Sequence, residues 1–293
     1  MRSIGIGAYR SITADRGGPV AGVAVSEISL FDRPYFQAHA RLVQGLVPVA
    51  AHQCFGDAHG TGTHHSPIVA RQLAISEALE RWAYHTVLLG GEGERMRFGL
   101  DVDPTSNGFA ASPGVASAAA REGALLEAAA RFCLIAWWEG RIASRWMQTD
   151  WPGIDAVTIP APLGGFAVVL TKVVARGQRA YGHAAASTFT GACERAMLEL
   201  ARCQAALEAM DPEARITPTD LVERRLLFFA SRAGFAAVCD RVGRPPSGSP
   251  PMVSLACDEE VSGPWSRHAT VWRSLFYPPT LDFLKPSAEY FFW

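Results

Sequence analysis

Glu77, Glu127 and Glu199 each stand seven residues after an alanine (Ala70, Ala120, Ala192), and each is followed by an arginine: Arg81 and Arg131 four residues on, Arg202 three. On a helix a step of seven returns to nearly the same azimuth, and steps of three and four stay on one face. Each segment can therefore present a small residue, a carboxylate and a guanidinium together. The small residue would let a neighbour approach closely. The first copy is the fullest, because Glu80 adds a second carboxylate in Glu77-Ala78-Leu79-Glu80-Arg81. A single Glu–Arg pair at this spacing is ordinarily a solvated surface pair worth about 0.2–0.5 kcal/mol, and alanine-rich helices produce such pairs by coincidence. Recurrence on three segments favours a shared site. Carboxylates with guanidinium groups suit magnesium and nucleotide phosphates, since Mg²⁺ takes oxygen ligands and usually shares its shell with phosphate and water. Arginine supplies planar donors to phosphate. The sequence has no G-x-x-x-x-G-K-[ST] loop and no G-x-G-x-x-G between a strand and a helix, so neither standard nucleotide fold is indicated.

Three long helices must carry these residues. Ser66-Pro67 reads as an N-cap with proline at the first helical position, opening a helix over 68–89 that Gly90-Gly91 stops. A second is expected over 116–138, after Pro113-Gly114, and a third over 192–210, ended by Asp211-Pro212. Between the second and third, the apolar run 168–174, Arg176-Gly177-Gln178 and the stretch to Ala186 read as a β-hairpin. Val20 to Val25 reads as a strand, and 36–43 has no assignable period. Pro218-Thr219-Asp220 opens a fourth helix over 221–232, closed by Gly234, and the Gly/Pro/Ser-rich 243–251 is a loop. The proline- and aromatic-rich tail from Pro278 to Trp293 is expected to pack on the body.

The chain has 293 residues, 49% hydrophobic and 19% charged, enough apolar material for one large intertwined α+β domain or two small ones; the single domain is the expectation. A net charge of −1 with interspersed signs gives no footprint for a nucleic-acid backbone. No run is long enough to span a bilayer, and the start does not read as a signal peptide, so a cytoplasmic protein is expected. The six cysteines form no C-x-x-C pair, which suits neither a disulfide framework nor a four-cysteine zinc site.

The motifs in order resemble those of the YcaO family. Gly60-Thr61-Gly62-Thr63, Ala70 and Glu77 to Arg81 are similar to its glycine-rich turn leading into a helix that ends in E-A-x-E-R. Ser106-Asn107-Gly108-Phe109-Ala110-Ala111, then Ala124-Leu125-Leu126-Glu127 and Trp137-Trp138, resemble its second motif, and the helix 192–204 resembles its third. Together they span residues 50–210, leaving 211–293 for a helix and the tail. The resemblance implies an α+β YcaO-like fold with mixed sheets and long alanine-rich helices converging on a nucleotide site. It also implies ATP-dependent phosphorylation of a peptide backbone amide after a nucleophile adds to the carbonyl. A Cys, Ser or Thr side chain of the substrate would give an azoline, and sulfide a thioamide. Several positions depart from the family pattern. Thr61 or Thr63 stands for a lysine, Leu73 for a serine, Ala130 for the second glutamate of the second motif, Phe132 for its aspartate, and Arg202 for a glutamine.

On these grounds Glu77, Glu80, Glu127 and Glu199 are expected as Mg²⁺ ligands, and Arg81, Arg131 and Arg202 as ATP-phosphate contacts. The expected partners are a precursor peptide and a separate peptide-recognition or complex-partner protein, with a homo- or hetero-oligomer as the assembly. The other reading is a degenerate YcaO-like scaffold subunit of a modifying complex. A metal-dependent hydrolase using His52, Cys54, His59, His64 and His65 ranks behind, because zinc sites show tighter paired spacings. Cys257-Asp258-Glu259-Glu260 reads as an exposed turn, Trp137-Trp138 as core, and Lys172 as a strand residue that either snorkels or faces phosphate.

Overall fold

The computed structural model describes residues 9, 11–31, 33–48, 58–162, 164–210, 220–247 and 249–291. His52, Cys54, the stop at Asp211-Pro212, the helix opening at Pro218-Thr219 and the last two residues lie outside these. In chain order the elements are β1 (Val20–Leu30), β2 (Arg33–Leu42), β3 (Gly60–His64), α1 (Pro67–Leu88), α2 (Glu92–Arg97), β4 (Phe109–Pro113), α3 (Ser117–Trp138), β5 (Arg145–Gln148), β6 (Ile154–Pro160), β7 (Phe166–Val173), β8 (Arg179–Ala186), α4 (Phe189–Ala209), α5 (Leu221–Ala230), α6 (Arg232–Gly243), β9 (Leu255–Glu260) and β10 (Ala269–Phe276). The fold is α+β. Among the described residues no helix is long and apolar enough to cross a membrane.

The chain forms two compact units. The first takes its described residues from 9–125 and 255–275, and the second from 126–254 and 276–291, so α3 changes unit along its length. In the first, a sheet in the order β1-β2-β3 carries α1, and a second sheet runs β4-β10-β9. The segment 60–63, expected as a glycine-rich turn, is strand β3, paired antiparallel with β2 so that Gly60 faces Ala40 and Gly62 faces Ala38. Its glycines have a steric cause. A Cβ on Gly60 would run into the backbone of Ala74 and Ala78, and one on Gly62 into that of Ala70 and Ala74. Ala70, Ala74 and Ala78 are fully buried on the α1 face that meets this strand. The close approach expected of Ala70 is therefore made by β3. Further along α1, Ile75, Leu79 and Trp82 enter the same core, where Trp82 meets Trp265 edge-on at 5.5 Å.

The second unit carries the sheet β5-β6-β7-β8. The expected hairpin is β7–β8, in register from Phe166↔Ala186 to Val173↔Arg179. Its turn places both Arg176 (φ 61) and Gly177 (φ 69) in the left-handed region, which Gly177 adopts without cost and Arg176 does not. Helix α4 follows, its Thr188 hydroxyl accepting the Gly191 N–H as an N-cap. Gly182 of β8 lies against the backbone of Ala196 and Leu200 with no room for a Cβ. Trp137 and Trp138 are core, as expected, packed with Phe229 and Phe291. The tail does pack inward, burying Phe283, Tyr290 and Phe291.

Several readings are corrected. Residues 33–42 form a full strand, and β4, β5, β6, β9, β10 and α2 were not foreseen. The pairs β1–β2, β2–β3, β4–β10, β5–β6, β6–β7 and β7–β8 are antiparallel, and an isolated parallel bridge joins Thr13 to Val20. The fourth helix is two: α5 ends at Ala230, and Ser231 caps α6 by accepting the Gly234 N–H. Gly234 does not stop a helix. It sits in the first turn of α6 because a Cβ there would strike the Phe228 backbone. Residues 257–260 are not an exposed turn but belong to β9, with Cys257 buried.

Candidate functional site

In the first unit the stripe Glu77, Glu80, Arg81 lies along the middle of α1. The Glu77 carboxylate, one-quarter exposed, accepts the Thr61 N–H from β3 at 3.1 Å through one oxygen and the Arg81 guanidinium at 3.3 Å through the other. Glu80 reaches a different strand: its Oε1 accepts the Ala111 N–H of β4 at 2.8 Å. Two carboxylates three residues apart are thus each fixed by a backbone amide from a separate strand. Such outer hydrogen bonds orient metal-binding carboxylates. Beside them, His85 continues the stripe one turn beyond Arg81. Burial, then the charges of Arg81 and His59, hold its imidazole below the usual value, so it is neutral at pH 7. His59 itself accepts the Leu42 N–H at 2.8 Å through Nδ1, which makes it a structural acceptor closing the start of β3.

In the second unit the four expected residues of the later motifs differ sharply in setting. Glu127 is exposed on α3. Arg131, one turn on, is only 4% exposed and stacks over the Phe283 ring at 5.2 Å. Glu199 on α4 receives the Arg202 guanidinium at 2.9 Å, with the two side chains 43% and 30% exposed. Neither motif helix therefore repeats the double-carboxylate arrangement of α1. Ala130 and Phe132, which stand where the family pattern has acids, are buried in the core of this unit.

A further group was missed in the sequence. His183 of β8 lies close enough to Arg131 to feel its charge. Burial first, and then Arg131, push the imidazole down to about 4, so it is neutral and able to accept a proton or hydrogen bond. The signal was a lone polar side chain in Ala180-Tyr181-Gly182-His183-Ala184-Ala185, a strand otherwise made of small and aromatic residues. Lys172 lies on β7, half-buried, opposite Ile154.

The donors fit a hard cation and phosphate. Glu77 and Glu80 carry the oxygen donors that a hard cation takes, each hydrogen-bonded by a strand amide, and Arg81 is a guanidinium on the same stripe. Among the described residues no three His, Cys, Asp or Glu side chains gather as a complete metal cage. Magnesium held with a nucleotide needs no such cage, because phosphate and water complete its shell.

No protein-family model matches the sequence, and no curated protein matches it. Among solved structures, the chain is similar to YcaO from Methanopyrus kandleri bound with AMPPCP and Mg²⁺, with a TM-score of 0.52, 14% identity, and coverage of 96% of this chain and 91% of that one. It is also similar to a chain of the E. coli microcin synthetase McbBCD complex with pro-MccB17 bound, with a TM-score of 0.52, 13% identity and 87% of each chain covered. The fold is YcaO-like.

Proposed function

We infer that this protein is an ATP- and Mg²⁺-dependent enzyme that activates a backbone amide of a ribosomally made precursor peptide, forming either an azoline or a thioamide. The observation that carries the reading is the α1 stripe: Glu77 and Glu80, each fixed by a strand amide, with Arg81 beside them, in a fold like that of a YcaO solved with AMPPCP and Mg²⁺. On α1, Glu77 and Glu80 would hold Mg²⁺ and Arg81 would contact phosphate; in the second unit, Glu127 and Glu199 are the further candidate Mg²⁺ carboxylates, and Arg131 and Arg202 the further candidate phosphate contacts, with Arg131 buried. When bound, Mg²⁺–ATP supplies the phosphoryl group that turns the amide oxygen, otherwise a poor leaving group, into a good one. The chain's own part is to position and to neutralise charge. The Thr61 and Ala111 amides hold the carboxylates in one orientation, and the arginines offset phosphate charge without a proton transfer. A precursor peptide and a separate peptide-recognition protein are the partners this reading calls for. The likeness to a chain of the McbBCD complex, solved with pro-MccB17 bound, supports this part of the reading.

A second reading is a scaffold subunit without ATP turnover. It is favoured by one observation: Ala130 and Phe132 are buried apolar side chains, so α3 offers no acid at either position. The two separate in one assay, with the protein and its complex partners given ATP, Mg²⁺ and candidate peptide while phosphate release and peptide mass are followed. A loss of about 18 Da marks azoline formation, and a gain of about 16 Da marks oxygen-to-sulfur exchange. No nucleotide binding in the complete complex leaves the scaffold. A Glu77→Ala variant with unchanged Mg²⁺ dependence would remove Glu77 from the ligand set.

A further inference from the structure

Arg273 on β10 is fully buried, with 0% exposure, and its guanidinium is spent on backbone carbonyls. It donates to Phe98 O at 3.2 Å, to Asp103 O at 3.3 Å and to Asn107 O, and it lies over the Phe109 ring at 4.8 Å. Burying a guanidinium is costly unless its donors are filled. Here they are filled by the segment that turns from α2 into β4. That turn is pinned a second time, since the Ser274 N–H donates to Gly108 O at 2.9 Å and a Cβ on Gly108 (φ 79) would collide with Ser274 O.

β4 pairs with β10 on one side, Ala111 opposite Val271 and Phe109 opposite Arg273. Its other side is an edge, and there the Ala111 N–H meets Glu80. The placement of that amide is therefore set by where the chain leaves Gly108, and that point is set by Arg273.

We propose that Arg273 is a positioning residue for Glu80: by fixing the 98–108 segment it delivers the Ala111 N–H that orients the Glu80 carboxylate. The inference deepens the assignment of Glu80 to the metal site and rests on it. Arg273 is fully buried and acts through Glu80.

The test is a double-mutant cycle on amide exchange in the full-length protein. Arg273→Lys keeps the charge but loses the fork that serves three carbonyls. Ala111 exchange is expected to rise about tenfold or more, as for a lost hydrogen bond to a charged acceptor. Ala110 and Ser112, whose N–H groups point to β10 by strand alternation, should stay within about twofold. Glu80→Gln alone should also speed Ala111, and adding Arg273→Lys to it should do nothing more at that amide. If the two effects add in full, or if all three amides speed up together, Arg273 merely stabilises the unit and the proposal falls. Should Arg273→Lys fail to fold, Phe109→Leu, which removes the ring under the guanidinium and keeps an apolar side chain, enters the same cycle. A parallel titration with Mg²⁺ and AMPPCP should show the half-saturating Mg²⁺ concentration raised about tenfold in Arg273→Lys. Failure of the wild type to bind Mg²⁺–AMPPCP overturns the functional reading and leaves the exchange cycle to decide the positioning.

Discussion

The pairs β3–α1 and β8–α4 are built alike, yet they present different chemistry. In each, a strand glycine abuts two helix residues four apart: Gly60 against Ala74 and Ala78, Gly182 against Ala196 and Leu200. In each, a glutamate follows the first of those residues by three, Glu77 and Glu199. Counted from these anchors, the residue after the glycine is Thr61 in one and His183 in the other. The residue three beyond the glutamate is Glu80 in one and Arg202 in the other. The backbone approach is retained because a Cβ is excluded at both glycines. The polar positions diverge because nothing in that packing constrains them. A packing motif and a ligand set can thus change independently, and only the first pair has kept two amide-held carboxylates.

The largest test of the likeness is the shared glycine. Gly60→Val and Gly182→Val should each destabilise their own unit by about 3 kcal/mol through overpacking, read as the loss of one transition in denaturant unfolding. A variant that costs nothing would remove that pair from the comparison. Next in size is Glu80→Ala, which leaves the Ala111 amide without its carboxylate and should cost about 1.5–3 kcal/mol. Arg202→Ala, which breaks a partly exposed pair, should cost only about 0.2–0.5 kcal/mol by the same measurement. Equal losses would erase the distinction drawn between Glu80 and Arg202.

Acid separates the two units further. His183 is neutral in the folded protein until about pH 4, whereas an unfolded histidine takes up its proton near 6.5, so the second unit should lose stability as pH falls through that window. His183→Gln should flatten the dependence. In the first unit, burial raises the Asp258 carboxyl, but hydrogen bonds from Arg121, Trp272 and Ser274 outweigh it and hold it below the usual range. Its stabilisation is present above the unfolded value and is lost only as pH falls through the lower folded one. Unfolding curves at pH 7, 5.5 and about 4.5, followed separately by probes in each unit, check the order. The smallest effect is expected for Arg81→Ala. Its pair with Glu77 is 3.3 Å apart with the arginine 43% exposed, so stability should change by less than about 0.5 kcal/mol while Mg²⁺–nucleotide affinity falls.

The long helices were legible because their signals are local. Proline at the start of α1, Gly90-Gly91 after it and alanine-rich periodicity fixed α1 and α3 to within a residue or two, and the β7–β8 hairpin showed in its turn residues. The strands β9 and β10 were not legible. Cys257-Asp258-Glu259-Glu260 carries three acids in a row, a composition that reads as a solvated turn. Its place in a sheet depends on Arg121, Trp272 and Ser274 reaching Asp258 from distant points in the chain. Likewise α5 and α6 merged in the reading because Gly234, a helix stopper by type, was required by its contact with Phe228.

Sequence alone determined that three helices carry glutamate and arginine at helical spacing and that small residues line the same faces, which are properties of type and interval; the α+β, YcaO-like fold was what the resemblance of its motifs implied. Only the tertiary structure decided that the small residues serve a strand rather than a ligand, that Arg131 is buried while Glu127 is exposed, and that Glu80 answers to an amide thirty-one residues away. The physical reason is that a side chain's burial and hydrogen-bond partners are set by which distant segments pack against it, and interval along one helix does not encode them.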